Sequence, residues 1–277
     1  MERHPAIPAI LEYYREKFAA AERDHGELGR RIGAELKFPL VNPDGTAAPY
    51  EAVDDLWRFL HEKGWSMDED DTVGRIVGAR TEGSYNHTVA SCETGYCKTE
   101  FSLAHAGDLF ELRDTMDAVV GLLREYADRN DVRFLGYGMQ PVTRPCADLL
   151  MKKGRTGVWD TVFGANRIIP EEDGDDLCMF TVNAANHVHV SVSEREAVPI
   201  VNVLNGFAPA QIALTAHSNI WRGGIDPDYK CVADKLWDWW IPDGDRAGIP
   251  AEPFEDIEDY VDKVGRFRPV FVKRDGT

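Results

Sequence analysis

Ile32-Gly33-Ala34-Glu35-Leu36-Lys37-Phe38-Pro39-Leu40-Val41 alternates small or apolar residues with charged ones, and Asn42-Pro43-Asp44-Gly45 closes it with turn chemistry. Side chains on a strand point to opposite faces in turn, so Ala34, Leu36 and Phe38 share one face and Glu35 and Lys37 the other. The same test applied to 183–192, Asn183-Ala-Ala-Asn186-His187-Val188-His189-Val190-Ser191-Val192, puts Val188, Val190 and Val192 on a core face. His187, His189 and Ser191 fall opposite them. In a third segment Phe101 and Leu103 are the apolar pair, and Glu100 and Ser102 share the other side. Carboxylates are depleted in strands, whose exposed faces favour Thr, Lys and Arg, so three strands with Glu or His on one face suggest a ligand above the sheet. Glu and His clustered in this way suit a hard divalent cation such as Mg²⁺.

Outward from these strands the chain mixes strands with long helices. Ile10, Leu11, Tyr14 and Phe18 recur at helical intervals and predict an amphipathic helix over the first thirty residues, ending near Gly26 to Gly29. Val53, Leu56, Trp57 and Leu60 mark a second helix. Residues 73–103 read as a hairpin or meander, and residues 108–129 as a long helix with Leu109, Leu112, Met116, Val119, Val120 and Leu123 on one side. A strand at 134–140 leads through Pro141 and Pro145 into another helix. Further helices are expected at 198–216, 230–240 and 254–264, with a short strand at 269–272. With no repeat and no low-complexity linker, the pattern predicts one α+β domain over residues 1–277.

Composition narrows the function classes. The chain is 43% hydrophobic and 10% aromatic, enough for a packed core. Its formal charge of -17 argues against a nucleic-acid partner, whose binders carry basic patches to displace counterions. No run of about twenty apolar residues and no basic-then-apolar leader is read, so neither membrane insertion nor export is expected, and the localisation expected is cytoplasmic. The five cysteines show no CxxC spacing and are expected as free thiols.

An acidic chain that handles phosphate needs metal ions or a few placed arginines. Lys152-Lys153-Gly154-Arg155 interrupts a helical stretch and offers a planar donor fork, and Asp243-Gly-Asp245-Arg246-Ala-Gly248-Ile-Pro250 holds Arg246 in a constrained loop. Guanidinium groups suit bidentate recognition of phosphate or carboxylate.

With these residues in hand, the chain resembles the carboxylate-amine ligases of the glutamate-cysteine ligase family, within the glutamine synthetase superfamily. Gly33-Ala-Glu35-Leu-Lys37-Phe38 is similar to the family's Gly-x-Glu-x-Glu opening strand, and Glu93-Thr-Gly-Tyr-Cys-Lys-Thr-Glu100-Phe-Ser to its second acidic segment. Gly136-Tyr-Gly-Met-Gln-Pro141, Lys153-Gly-Arg155, His187-Val-His189-Val, Leu214-Thr-Ala-His217-Ser218 and Asp245-Arg246-Ala-Gly248 follow in the family's order, as does the stretch from Tyr260-Val to Val270-Phe-Val-Lys-Arg-Asp-Gly276. The resemblance implies a curved, mainly antiparallel sheet whose concave face holds ATP and Mg²⁺, with helices packed outside in a glutamine synthetase-like fold. It implies that ATP phosphorylates a substrate carboxylate and that an amine attacks the acyl phosphate, with small-molecule amino acids as substrates. By position, Glu35, Glu93, Glu100 and His189 become the metal ligands. Arg155 and Arg246 hold phosphate or the acidic substrate, and Lys37 and Arg155 meet the nucleotide. His187 falls where the family tolerates glutamine, so His189 alone is taken as a ligand.

Two departures shape the expectation. Lys37 stands where the family has its second Glu, and an ammonium has no lone pair for a cation. At least one metal position is therefore expected to be lost, with Lys37 a fixed positive charge beside Glu35 or Glu100. The family's C-terminal segment, with a further acidic ligand and an arginine, is not read before Thr277; the expectation is a site completed another way, as by a second copy in a homo-oligomer, a sequence that continues further, or a protein that has given up ligation. The alternatives are an impaired relative that binds nucleotide or amino acid or assists a partner subunit, and a metal-dependent hydrolase using the histidine pair.

Overall fold

The computed structural model describes residues 5–83, 86–158, 169–240 and 248–264. Its helices are α1 (Ile7–Leu28), α2 (Tyr50–Glu62), α3 (Leu109–Asn130), α4 (Glu194–Thr215), α5 (Val232–Trp240) and α6 (Ile257–Val264). Its strands are β1 (Ile32–Val41), β2 (Ser66–Asp70), β3 (Arg75–Arg80), β4 (Val89–Cys92), β5 (Lys98–Ser102), β6 (Arg133–Phe134), β7 (His187–Val190), β8 (Ile220–Trp221) and β9 (Gly224–Ile225). The fold is α+β with a mainly antiparallel sheet, and the residues group into two compact units.

The larger unit spans Ile32–His189 and Ala216–Trp240. Its sheet runs β2-β3-β4-β5-β1-β6, with β7 also paired to β1. The register of β1 on β5 sets Leu36 opposite Phe101 and Lys37 opposite Glu100, so one face is apolar and the next residue along returns to the charged face. On the apolar face Phe101 meets Phe38 and Trp65 edge-on. Helix α2 buries Val53, Leu56, Trp57 and Leu60 completely, as the i, i+3, i+4, i+7 spacing requires. Helix α3 packs beside it, where the Tyr126 hydroxyl donates to the Ala52 carbonyl at 2.5 Å. Asp108 caps α3 by accepting from the amides of Phe110 and Glu111, which satisfies two of the four donors a helix start leaves open.

Of the described residues, the smaller unit holds 5–31, 190–215 and 248–264. Ile7 and Leu11 of α1 pack on Val261 of α6, flanked by Tyr14, Ile257 and Tyr260. The Asn202 side chain on α4 brackets Phe254, donating to its carbonyl at 2.8 Å and accepting from its amide at 2.9 Å. Among the described residues α4 is long and apolar enough, by length and composition, to cross a membrane, although Pro199 and Pro209 lie inside it. The sequence holds no unbroken run of about twenty apolar residues and predicts no such span.

Four expectations need correction. The strand expected at 134–140 shrinks to Arg133–Phe134. Beyond it Gly138 and Gln140 bond to His217 on one side and to Val182 and Ala184 on the other in an irregular exchange. A Cβ on Gly138 would lie 2.7 Å from that of Ser218, so the close approach excludes a regular side chain. The helix expected after Pro145 is two short 3₁₀ turns, Ala147–Leu149 and Gly154–Val158. Strand β2 went unforeseen because Ser-Met-Asp-Glu-Asp lacks apolar alternation; its pairing to β3 holds it. The valine face of β7 is not core: Val188 is 75% exposed, since β7 hangs at the margin of the sheet on β1. The strand expected at 269–272 lies outside the described residues.

Candidate active site

The charged face of β1 and β5 carries Glu35, Lys37, Lys98, Glu100 and Ser102, and Ser91 of β4 stands opposite Glu100 on the same face. Glu93 enters from the turn after β4, which closes through the Glu93 amide on the Lys98 carbonyl at 3.1 Å. That turn sits tightly on the residues before β7. A Cβ on Gly95 would come within 2.1 Å of the Thr181 carbonyl oxygen. The Asn186 side chain accepts from the Lys37 amide at 3.1 Å and ties the start of β7 to β1.

At the centre is the Lys37 ammonium. Its side chain is 5% exposed, and Nζ lies 2.7 Å from Glu35 Oε2, 3.0 Å from Glu100 Oε2 and 3.7 Å from Glu93 Oε1. Glu35 is held from its other side as well. His187 Nδ1 is 2.7 Å from Glu35 Oε2 and His189 Nε2 is 3.2 Å from Glu35 Oε1. His187 Nδ1 also lies 3.2 Å from Lys37 Nζ; we assign its proton to the shorter contact, so that Nδ1–H donates to Glu35.

Behind the carboxylates stand two more lysines. Lys98 Nζ donates to the Phe180 carbonyl at 3.0 Å and to Asn183 Oδ1 at 3.2 Å. Lys153 Nζ donates to the Cys92 carbonyl at 2.7 Å. The Gly154 amide donates to Asp70 Oδ2 at 2.9 Å and so pins the loop that presents the exposed Arg155.

These neighbours pull the titrations apart. Burial pushes the Glu35 carboxyl up, but hydrogen bonds from Lys37 and His187 outweigh it and leave it below its ordinary value. Burial drags the Lys37 ammonium down, yet Glu35, Glu100 and Glu93 together carry it above its usual range. Burial and the neighbouring Glu93 hold Glu100 well up. Burial raises Glu93 too, but Glu100, Lys98, Lys37 and Arg155 keep it low. Lys98, fully desolvated, falls to about 8 despite Glu93 nearby. Adjacent carboxyls driven in opposite directions by burial and charged neighbours mark this face as a candidate functional site.

Of the sequence-predicted site residues, the structure gathers Glu35, Lys37, Glu93, Glu100 and His189, and sets Arg155 within electrostatic reach of Glu93. Arg246 lies outside the described residues. As placed, Glu35, Glu93, Glu100 and His189 do not fit a shared divalent cation. Lys37 fills the space among the carboxylates, and no group of three or more His, Cys, Asp or Glu among the described residues has the arrangement to hold a metal. The histidine pair likewise converges on Glu35 and not on a common open point. Lys98 and Lys153 were missed as site residues, and His187, set aside in favour of His189, reaches Glu35 as well. Lys98 was legible, because it precedes Glu100 by two on one strand; Lys153 was not, because only the fold brings it to Cys92. An open cleft of about 850 Å³, lined by Pro145, Cys146, Asp175 and Arg222 among others, shares no residue with the charged face.

The face thus combines strand-borne carboxylates, a histidine pair and a lysine-arginine flank in the order read from the sequence. Glutamate-cysteine ligase family 2 matches residues 31–272. The chain belongs to that family. The match takes in every described element of the charged face, from Glu35 on β1 to His189 on β7, and no curated protein matches the chain significantly.

Proposed function

We propose that the chain is an ATP-dependent ligase that joins a carboxylate to an amine. The observation that carries this reading is the coincidence of the family 2 match with one charged cluster, in which Glu35 and Glu100 of the sheet and Glu93 of the turn after β4 lie among Lys37, Lys98 and the loop residues Lys153 and Arg155. Phosphoryl transfer asks a protein chiefly for positioning and charge neutralisation, and such a face supplies both. In this reading ATP gives its γ-phosphoryl group to a substrate carboxylate and ADP leaves. The amine nitrogen then attacks the acyl carbon, inorganic phosphate leaves and the amine proton is lost. Arg155 and Arg246 hold phosphate or the acidic substrate. His187 helps keep Glu35 ionised, and both histidines orient it. We extend the family's use of ATP and Mg²⁺ to this chain, together with amino-acid substrates, a glutamine synthetase-like curvature of the sheet and a cytoplasmic setting. We also keep a homo-oligomer, in which a second copy completes the site.

A second reading is supported by Lys37 itself: a relative that binds nucleotide or amino acid, or assists a partner subunit, without turnover. An ADP-release screen across pairs of amino acids, with Mg²⁺ present, separates the two. Release that needs both an acid and an amine is expected of the ligase. ATP binding with no release for any pair would overturn it and leave the second reading.

A further inference from the structure

We propose that Lys37 is a built-in cation, which takes the place of one divalent ion among Glu35, Glu93 and Glu100. The inference takes its meaning from the ligase reading of this face and rests on it, but its test needs no turnover.

Three features of the geometry support it. The ammonium sits at 2.7, 3.0 and 3.7 Å from three carboxylates borne on β1, on β5 and in the turn after β4, which is the position a shared cation would occupy. The first two are N–H···O hydrogen-bond spacings and the third a longer ion-pair spacing, whereas Mg²⁺ draws its oxygens to about 2.0–2.1 Å in a near-ideal octahedron. Lys37 is also buried and directly opposite Glu100 in the β1–β5 register, so the ammonium cannot swing into solvent and leave the position to an ion. Finally, the second buried ammonium, Lys98, is bonded to Phe180 and Asn183 within the electrostatic reach of Glu93. Against three carboxylates the face therefore already carries two cations of its own. Unlike a bound ion, Lys37 is present at one per chain under all conditions and survives chelation.

The test is Mn²⁺ binding to the full chain in the absence of nucleotide and amino acids, followed by loss of the free-ion magnetic resonance signal at moderate salt. Wild type is expected to retain no Mn²⁺ at this face, with Glu100→Gln leaving its weak surface binding unchanged. Lys37→Glu, which replaces the ammonium with a fourth carboxylate, is expected to gain one Mn²⁺ at least tenfold tighter than any wild-type binding. That gain disappears in Lys37→Glu with Glu100→Gln. A Lys37→Glu chain that folds only when Mn²⁺ is added supports the inference equally. Lys37→Gln, which removes the charge alone, is the second variant and should gain the same site more weakly. The inference is overturned if wild type binds one Mn²⁺ tightly and Glu100→Gln weakens it, or if a folded Lys37 variant gains none. Failure of ADP release would sink the ligase reading and leave these outcomes untouched.

Discussion

Lys37 Nζ and Glu100 Oε2 lie 3.0 Å apart across directly opposed positions of β1 and β5, in a pair whose side chains are 5% and 14% exposed. Breaking a buried pair from one side leaves its partner uncompensated and costs about 3–5 kcal/mol. Lys37→Gln strands Glu35 and Glu93 as well as Glu100, and partial hydration of those carboxylates sets the expected loss near the lower end, about 3 kcal/mol. Adding Glu100→Gln should recover part of it. Urea unfolding of the two single variants and the double closes the cycle, and strict additivity would show that the two groups do not interact.

The strands and helices of this chain were legible where local pattern and tertiary demand agree. Strand β1 occupies the whole of the stretch that alternation marked, and α2 buries the residues its spacing named. Legibility failed where pairing alone makes the structure. Strand β2 has no apolar face to read, and residues after Phe134 trade hydrogen bonds with segments more than 40 positions away in sequence. The site shows the same division. Glu35, Lys37, Glu100 and Lys98 follow from period two on two strands, but the convergence of His187 and His189 on Glu35 needs the β1–β7 pairing, which no local signal encodes.

Gly95 makes the Glu93 turn possible. A methyl group there would sit 2.1 Å from the Thr181 carbonyl oxygen and 2.8 Å from its carbon, both backbone atoms with no side chain to yield. Gly95→Ala must push the turn off residue 181, carry Glu93 away from Lys37 and strain the Glu93–Lys98 closure. A loss of about 1–3 kcal/mol is expected, the range for overpacking a tight contact. Gly121→Ala is the control, since a Cβ there meets nothing within 4 Å. It should be neutral or slightly stabilising, because alanine is the better helix former. Thermal melts of the two proteins decide the matter, and equal melting temperatures would disprove the contact.

In the smaller unit Glu196 governs the acid limb. The Ser193 amide, the Arg30 guanidinium and the Ser193 hydroxyl all stabilise its carboxylate and bring it down to about 2. A carboxyl titrating lower in the folded than in the unfolded chain binds fewer protons when folded, so its contribution is present above the ordinary value of 4.5. It is lost as pH falls from there through about 2. Glu196→Gln should flatten this part of the stability profile and leave the profile above pH 5 parallel to wild type. Because the group is partly exposed, the effect should shrink in high salt. Urea midpoints between pH 2 and 6, at low and high salt, provide the comparison.

None of the five cysteines is in a disulfide, and they differ in access. Burial pushes the Cys92 thiol far above its ordinary range and Cys97 to about 11, and Cys178 is also buried. Cys146 and Cys231 are partly exposed. Since the thiolate is the reactive species, a disulfide reagent at pH 8 should modify Cys146 and Cys231 quickly and the other three only on the timescale of unfolding. Denaturant should release all five at once. Fast modification of Cys92 in the native protein would contradict the packing of β4.

The two histidines of β7 offer the sharpest test of the ligase reading, because both touch Glu35 from exposed positions. Their side chains are 53% and 56% exposed, so replacing either costs little packing and should leave the melting temperature within about 2 °C, as for surface changes in general. Their contacts differ. His187 Nδ1 shares Glu35 Oε2 with Lys37, which goes on holding that oxygen when the imidazole is removed. His189 alone meets Oε1 among the contacts described, and without it the carboxylate is free to rotate about its remaining anchor. If Glu35 must be oriented for turnover, His189→Ala should lower ADP release by about 100-fold, the cost of misplacing a reacting group by about 1 Å. His187→Ala should lower it less. Equal losses would mean that the Lys37 contact does not orient Glu35, and wild-type release in His189→Ala would remove β7 from the site.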